Sequence, residues 1–538
     1  MERNTLLAVI LIAVVFILTP YYFEWISPSV NTEEPSEFDN PAPISSDTQP
    51  EIVEANPVQQ IVESGTKEKT YTISTPLYTA DISSKNGGSI TSFVLHEYQL
   101  HDSANVNLIN SRNTHNLLIS YRSVDGDLVS LNNIWEPAVY NKNLDVRSPG
   151  QALGFKMLVG GHAVEKTLVF NPDNYEIGIN IDFARAKNTL SQGEYGLSWA
   201  GGLPSTEKNT KDDISYFQGN ALLGDELHSS SLSSDQITED KLRGATKWAA
   251  IRSKYFASAL IPENPGSGML MGGIIEDGHP YFDYTLFNNV NEVKNITLFL
   301  GPLQKNHIEN VGVGLEKIMN FGWGFFRPIA KAVLWSLKKM YDLIPNYGVV
   351  LILFSLIIKI IVYPLTKKSY QSSREMQAIQ PLIANLKEKY KHDPKRLNQE
   401  QMKLFKEHGV NPLGGCLPLL LQMPLLVSLF IVFRSTIELR GQPFAWWITD
   451  LSSPDTIAFV AGFPINILPV FMAVTMFVQQ KMMQPSAGSP GQNKMMLYFM
   501  NAFFLFIFYS FPSGLNLYYA LFNLFTILQQ KFLTPAAK

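Results

Sequence analysis

The stretch YGVVLILFSLIIKIIVYPL, Tyr347 to Leu365, decides how this chain reads. It is long and apolar enough to cross a bilayer as a helix, yet it places Lys359 inside the hydrocarbon region, where a charge is costly. Two readings of that lysine stand open. It lies six residues before Leu365, about 9 Å along a helix, so its ammonium can snorkel to the headgroups. Alternatively it faces a water-filled cavity inside a helix bundle and offers positive charge to what enters there.

Outward from this stretch the composition is uneven. Over 538 residues, 46% are hydrophobic and only 17% charged, which is apolar for a water-soluble chain of that length. The long apolar runs lie in the first 25 residues and after residue 345, and what lies between reads as an ordinary soluble domain. A net charge of -4 gives no support to DNA binding. The single cysteine, Cys416, excludes an intramolecular disulfide and a cysteine-based metal cluster. His96-Glu97 lacks the second histidine of a zincin and no glycine loop with a lysine cradles phosphate, so no cofactor and no catalytic constellation is expected.

At the N-terminus, Leu6 to Phe23 is free of charge and is followed by no small-x-small cleavage site, which predicts an uncleaved anchor over 1–26. Pro28, Pro35, Pro41, Pro43, Pro50 and Pro57 among Ser, Glu and Gln predict a disordered linker over 27–62. The period then becomes two: Tyr175, Ile177, Ile179, Ile181 and Phe183 alternate, as do Ile296, Leu298 and Leu300, with turns at Asn86-Gly87-Gly88 and Asn171-Pro172-Asp173. That predicts a large all-β, antiparallel sandwich domain over 63–315. Helical periodicity returns in Val333, Leu337, Met340, Tyr341 and Ile344, opposite Lys331, Lys338 and Asp342. An amphipathic helix over 316–345, lying in the membrane interface or packed on a domain, is expected.

A transmembrane helix over 346–366 is followed by a segment, 367–412, that carries Lys367, Lys368, Arg374, Lys387, Lys389, Lys391, Lys395, Arg396, Lys403 and Lys406. The next connection, 434–456, has only Arg434 and Arg440, so the first loop is inside and the second outside, and the β domain is outside as well. Met376, Ile379, Ile383, Leu386 and Tyr390 fall at helical spacing, and Asp393-Pro394 opens a second helix that Gly409 ends. The pair makes an antiparallel hairpin whose basic residues attract anionic headgroups or ribosomal RNA, or simply form a solvated face that sets topology. Within 413–538, crossings are expected at Leu413 to Phe433, at Thr456 to Gln480, and twice between Met495 and Gln530 with the turn at Pro512-Ser513-Gly514. One anchor plus five clustered crossings gives six transmembrane helices, with both termini inside.

Ser355, Lys359, Gln422, Ser428, Asn501, Asn516, Tyr518, Tyr519, Asn523 and Thr526 all sit within these crossings. Such groups either bond to neighbouring helices as structural glue or together line a polar groove. No acidic residue lies in the five clustered crossings, so a carboxylate proton relay has no ligands there.

Four runs carry a specific resemblance: YPLTKKSY at Tyr363 to Tyr370, NPLGGCLPLLLQMP at Asn411 to Pro424, FPSGLNLYY at Phe511 to Tyr519 and, in the outer domain, WAAIRSKYFASALIP at Trp248 to Pro262. They resemble, in order and over essentially the whole chain, the YidC-type membrane protein insertases of Gram-negative bacteria. The resemblance implies a multi-pass protein of the bacterial inner membrane with a periplasmic β domain. Its helical core holds a groove open to the cytoplasm and the lipid. Hydrophilic segments of nascent membrane proteins enter that groove while their apolar helices slide into the bilayer, without nucleotide hydrolysis. It implies that the family's groove arginine falls at Lys359, which keeps the charge but not the planar fork. It also implies that Ser355, Gln422, Tyr518, Tyr519 and Thr526 line the groove. Residues 367 to 408 would meet ribosome, targeting receptor or substrate, and the outer domain the Sec translocon and its associated proteins. The competing reading is a small-solute transporter with a sugar-binding outer domain, which requires a pore open to both sides. Neither reading makes the protein an enzyme.

Overall fold

A computed structural model describes residues 67–110, 112, 116–138, 142–232, 238–290, 294–319, 321–322, 324–410, 417–483 and 492–532. The anchor expected over 1–26 and the linker over 27–62 lie outside the described residues. The chain divides into two compact units, one ending at Ile318 and one beginning at Met319.

In the first unit the alternating runs are strands. Glu176–Asp182 turns Ile177, Ile179 and Ile181 inward, and Lys294–Pro302 does the same with Ile296, Leu298 and Leu300. These two strands pair antiparallel with Ile177 opposite Leu298. Among the described residues there are two sheets in this unit. One has five strands, in the order Asn105–Asn107, Ser89–Gln99, Tyr78–Ser83, Thr70–Ser74, Asn143–Asp145; the other has fourteen. The pairing is antiparallel except where Thr70–Ser74 runs parallel to Asn143–Asp145. The small sheet packs on the large one through Tyr71 against Phe155, ring centroids 6.1 Å apart, and Tyr78 against Tyr175 at 6.4 Å. The turn Asn86-Gly87-Gly88 has positive φ throughout, and a Cβ on Gly87 would meet the Trp135 ring at 2.7 Å, so both conformation and space demand glycine.

Three basic side chains, Lys166, Arg252 and Lys254, are buried in this unit. Lys166 lies in the strand His162–Phe170 with none of its surface exposed. Its Nζ donates to the carbonyls of Leu117, at 2.7 Å, and Asn86, at 3.1 Å, and burial pulls its pKa down to about 7. The WAAIRSKYFASALIP run forms the end of the strand Thr238–Arg252, a turn, and the fully buried strand Phe256–Pro262. At that turn Arg252 is buried and donates to the carbonyls of Ile318, at 2.6 Å, and Ser253, at 3.1 Å, its pKa lowered by burial to about 10. Lys254 pairs with Asp212 at 2.7 Å.

The second unit is helical: α1 Arg327–Tyr341, α2 Tyr347–Ala378, α3 Gln380–Lys389, α4 Pro394–Glu407, α5 Leu417–Ser435, α6 Ile467–Met483, α7 Gln492–Phe508 and α8 Ser513–Phe532. Helix α1 buries Ala330, Val333, Leu334 and Leu337 and leaves Trp335 and the preceding Phe325 exposed. It packs on α5, and Lys338 reaches Glu438 at 3.1 Å.

Helix α2 runs 32 residues, about 48 Å, so the boundary expected at 366 falls in mid-helix. Pro364 is tolerated within it, the Thr366 hydroxyl donates to the carbonyls of Val362 and Tyr363, and the residues beyond are good helix formers with nothing to stop them before Ile379. Helices α3 and α4 close on a small core of Ile379, Ile383, Phe405 and Val410, with Asp393 capping α4 by accepting from Arg396 N at 3.0 Å.

The crossing expected over Thr456 to Gln480 is corrected. Its first eleven residues contain a β-hairpin, Thr456–Val460 paired with Phe463–Asn466, and the helix begins at Ile467. β-Branched Thr456, Ile457, Val460 and Ile465 favour the extended form there, Gly462 takes the left-handed conformation of the tip, and Asp455 Oδ2 accepts from Ile467 N and Leu468 N at 3.0 and 2.8 Å to start the helix. By length and apolarity, α2 is the helix among the described residues that suffices alone for a span; α5, α6 and α7 carry shorter apolar stretches.

Candidate functional site

Helices α2 and α8 pack side by side. On α2, Ser355 and Lys359 are one turn apart; on α8, Tyr518, Phe522 and Thr526 are successive turns. The i, i+4 spacing stacks each set on one face, and the two faces meet. All five side chains are buried, Lys359 with 6% of its surface exposed.

The lysine is held in a specific way. Its Nζ donates to Thr526 Oγ1 at 2.7 Å, and Thr526 in turn donates to Phe522 O at 2.7 Å. The ammonium also lies over the Phe522 ring, 4.4 Å from its centroid. An ammonium has three donors, and Thr526 takes one. Among the described residues no carboxylate lies within ion-pair distance of Lys359. The side chain therefore turns onto α8 and is packed between the two helices.

The other candidates separate. Ser355 is buried beside Lys359 but turns its hydroxyl back to Ile352 O at 2.8 Å. Tyr518 packs its ring near Phe354 and Phe522, centroids 6.1 and 6.0 Å away, with a buried hydroxyl that has no partner among the described residues. Tyr519, a helix step further round, packs against Phe508 of α7 at 5.5 Å. Gln422 is half-buried on α5. Asn516 is spent on the turn between α7 and α8, donating to Phe508 O at 3.1 Å and Phe511 O at 3.3 Å. Asn501 ties α7 to Gln480 of α6 at 2.7 Å. Phe522, absent from the sequence-derived set, was available from its place midway between Tyr518 and Thr526.

Between α3 and α4 lies a cleft of about 290 Å³ lined by Leu382, Leu386, Leu404, Lys389, Glu400 and Lys403, an apolar floor with charges of both signs at the rim. Among the described residues no group of His, Cys, Asp and Glu is placed to hold a metal ion.

Residues 339–538 match the family model of the 60Kd inner membrane protein, and residues 70–336 that of the YidC periplasmic domain. The membrane protein insertase YidC of Chlorobium luteolum is 34% identical over 572 residues, covering 100% of this chain and 96% of its own. That of Chlorobaculum parvum is 33% identical over 566 residues, covering 99% and 94%. Among solved structures, an active YidC insertase with its first transmembrane domain resolved shares 18% identity at a TM-score of 0.37, with 88% of this chain and 94% of that one covered. A putative aldose 1-epimerase from Escherichia coli K12 shares 11% identity at a TM-score of 0.27, over 44% of this chain and 99% of its own.

Proposed function

Because the chain belongs to the YidC family of membrane protein insertases, we propose that Lys359, Thr526 and the polar groups beside them form the groove that accepts hydrophilic segments of nascent membrane proteins. The protein is a transmembrane insertase of the inner membrane with a β-rich periplasmic domain, not an enzyme. The small-solute transporter reading has no support, since relatives matched over nearly the full chain are insertases.

One observation carries the groove reading: a lysine buried between two helices and met by a hydroxyl and an aromatic face instead of a carboxylate. Its charge is left to attract an acidic segment of substrate. A polar segment in contact with such groups avoids the full cost of entering hydrocarbon, and the barrier to its crossing falls. Ser355, Gln422, Tyr518 and Tyr519 complete the groove in this reading. Six crossings place both termini in the cytoplasm, with the anchor over 1–26 as the first. The α3–α4 hairpin, its exposed lysines facing the cytoplasm, engages ribosome and targeting receptor; the periplasmic domain engages the Sec translocon where insertion uses it.

The test is insertion by the purified protein alone in liposomes of a single-span substrate with an acidic outer tail, read by protease protection of the tail. Lys359→Arg is expected to retain insertion. Lys359→Ala and Lys359→Glu are expected to lose about tenfold in initial rate, equivalent to about 1.4 kcal/mol. Equal insertion by all four proteins would remove Lys359 from the mechanism.

A further inference from the structure

Between Asp455 and Lys481 the sequence TIAFVAGFPINILPVFMAVTMFVQQ carries no charge. Its helical part is the first 14 residues of α6 (Ile467 to Gln480), and the whole helix of 17 residues, about 26 Å, is short of the roughly 30 Å hydrocarbon layer. The remainder is the β-hairpin, whose two-residue tip, Ala461 and Gly462, has φ of 49° and 83°, the left-handed pair that suits a tight hairpin.

This hairpin is rigid at its base and bare above it. Thr456 Oγ1 donates to Asn466 Oδ1 at 2.7 Å, Asn466 Nδ2 to Tyr509 O at 2.7 Å, and the Tyr509 hydroxyl to Pro464 O at 2.6 Å. Asp455, which caps α6, also accepts from Trp447 Nε1 at 3.0 Å. Beyond that polar base, Ile457, Phe459, Val460 and Phe463 are exposed on both faces of the ribbon, Phe459 by 63% and Phe463 by 74%.

Water is a poor surrounding for this element. A lone two-stranded hairpin is marginally stable there, and a flat apolar edge invites association unless it is covered. The occupant is indicated by continuity: the hairpin is the uncharged extension of a helix that lies in the bilayer. Its depth follows from its backbone. Unpaired strand edges are not tolerated in hydrocarbon, so the ribbon lies at headgroup level with its side chains directed to the acyl boundary. Trp446 and Trp447, stacked at 5.9 Å beside the same carboxylate, are of the type that occupies that level.

We infer that the 456–466 hairpin is an interfacial lipid anchor, seated in the leaflet at the Asp455 end of α6, that fixes the depth of that short helix. This rests on the membrane location of the chain and is independent of the groove.

The experiment uses the full-length protein with Cys416→Ser, spin-labelled singly at Val460→Cys or Phe463→Cys, in phosphatidylcholine–phosphatidylglycerol vesicles. Both labels are expected to collide with oxygen and to be shielded from a water-soluble nickel chelate, unlike a label at Glu239→Cys on the soluble domain. Collision with nickel means the hairpin stands in water, and shielding from both reagents means protein covers it; either overturns the inference. A label at Val470→Cys, exposed on α6, reports the second half. Its depth is expected to shift when Phe459→Ser and Phe463→Ser are combined, and an unchanged depth overturns the anchoring role.

Discussion

Lys359 and Lys166 show how differently two buried lysines are read from sequence. The first interrupts an apolar run and is conspicuous at once; the second sits in the strand HAVEKTLVF, where charged residues raise no question. Its parity was the available signal, since Val164, Lys166, Leu168 and Phe170 share the inward face of an alternating strand. What sequence does not contain is the pair of carbonyls, Leu117 and Asn86, that reach it from distant turns. Two acceptors suit a neutral amine with two hydrogens. With a folded pKa of about 7 and an unfolded value of about 10.4, the unfolded chain holds the extra proton between those limits. Stability therefore rises with pH from about 7 to about 10.4, by at most about 1.4 kcal/mol per unit; below 7 the cost of the buried charge is fully present. Lys166→Met is expected to flatten that slope, measured as the difference between variant and parent in urea unfolding of the β domain within the full-length protein at pH 7 and pH 9.

At the scale of elements, what local chemistry dictates was legible and what depends on competition was not. The α3–α4 hairpin follows from apolar spacing, Asp393 and Gly409, and the α7–α8 turn from Pro512-Ser513-Gly514, whereas the part Asn516 takes in that turn did not. Of the candidate site, the grouping of Lys359 with Thr526 came only from the family resemblance, since spacing along one helix says nothing of its neighbour; their hydrogen bond and the placement of Tyr519 against α7 both needed the helix packing. The 456–466 segment misled because hydropathy does not distinguish a charge-free hairpin from the start of a span. The decision lies with Asp455, which supplies one oxygen to two backbone donors of α6 and to Trp447. Asp455→Ala is expected to destabilise this unit by about 1–2 kcal/mol, the range of a lost helix cap, with Asp455→Asn milder because an acceptor oxygen remains. Thermal unfolding of the detergent-solubilised protein, followed on the helical signal, checks it; equal midpoints for both variants and parent would mean the cap does not hold the start of α6.

For the whole molecule, the change of period from two to helical marks the passage between units, and Arg252 shows where the first one closes. Its guanidinium is consumed by carbonyls of the first unit, the most distant being Ile318 at that unit's last residue. Each unit then has its own interior: Trp135, Trp199 and Trp248 fully buried in one, and in the other Leu429, Phe433, Leu515 and Tyr518. Separate cores imply separate cooperative transitions. Trp199, whose Nε1 donates to Gly202 O at 3.0 Å, provides the probe. Trp199→Ala removes a large buried ring and is expected to cost the β domain about 3–5 kcal/mol. Calorimetry of the full-length protein should then show one transition moved to lower temperature and the other in place, with insertion by the helical unit kept at any temperature where the β domain stays folded. If both transitions move together, the two units share one folding reaction, and the β domain acts on insertion through stability as well as through contact.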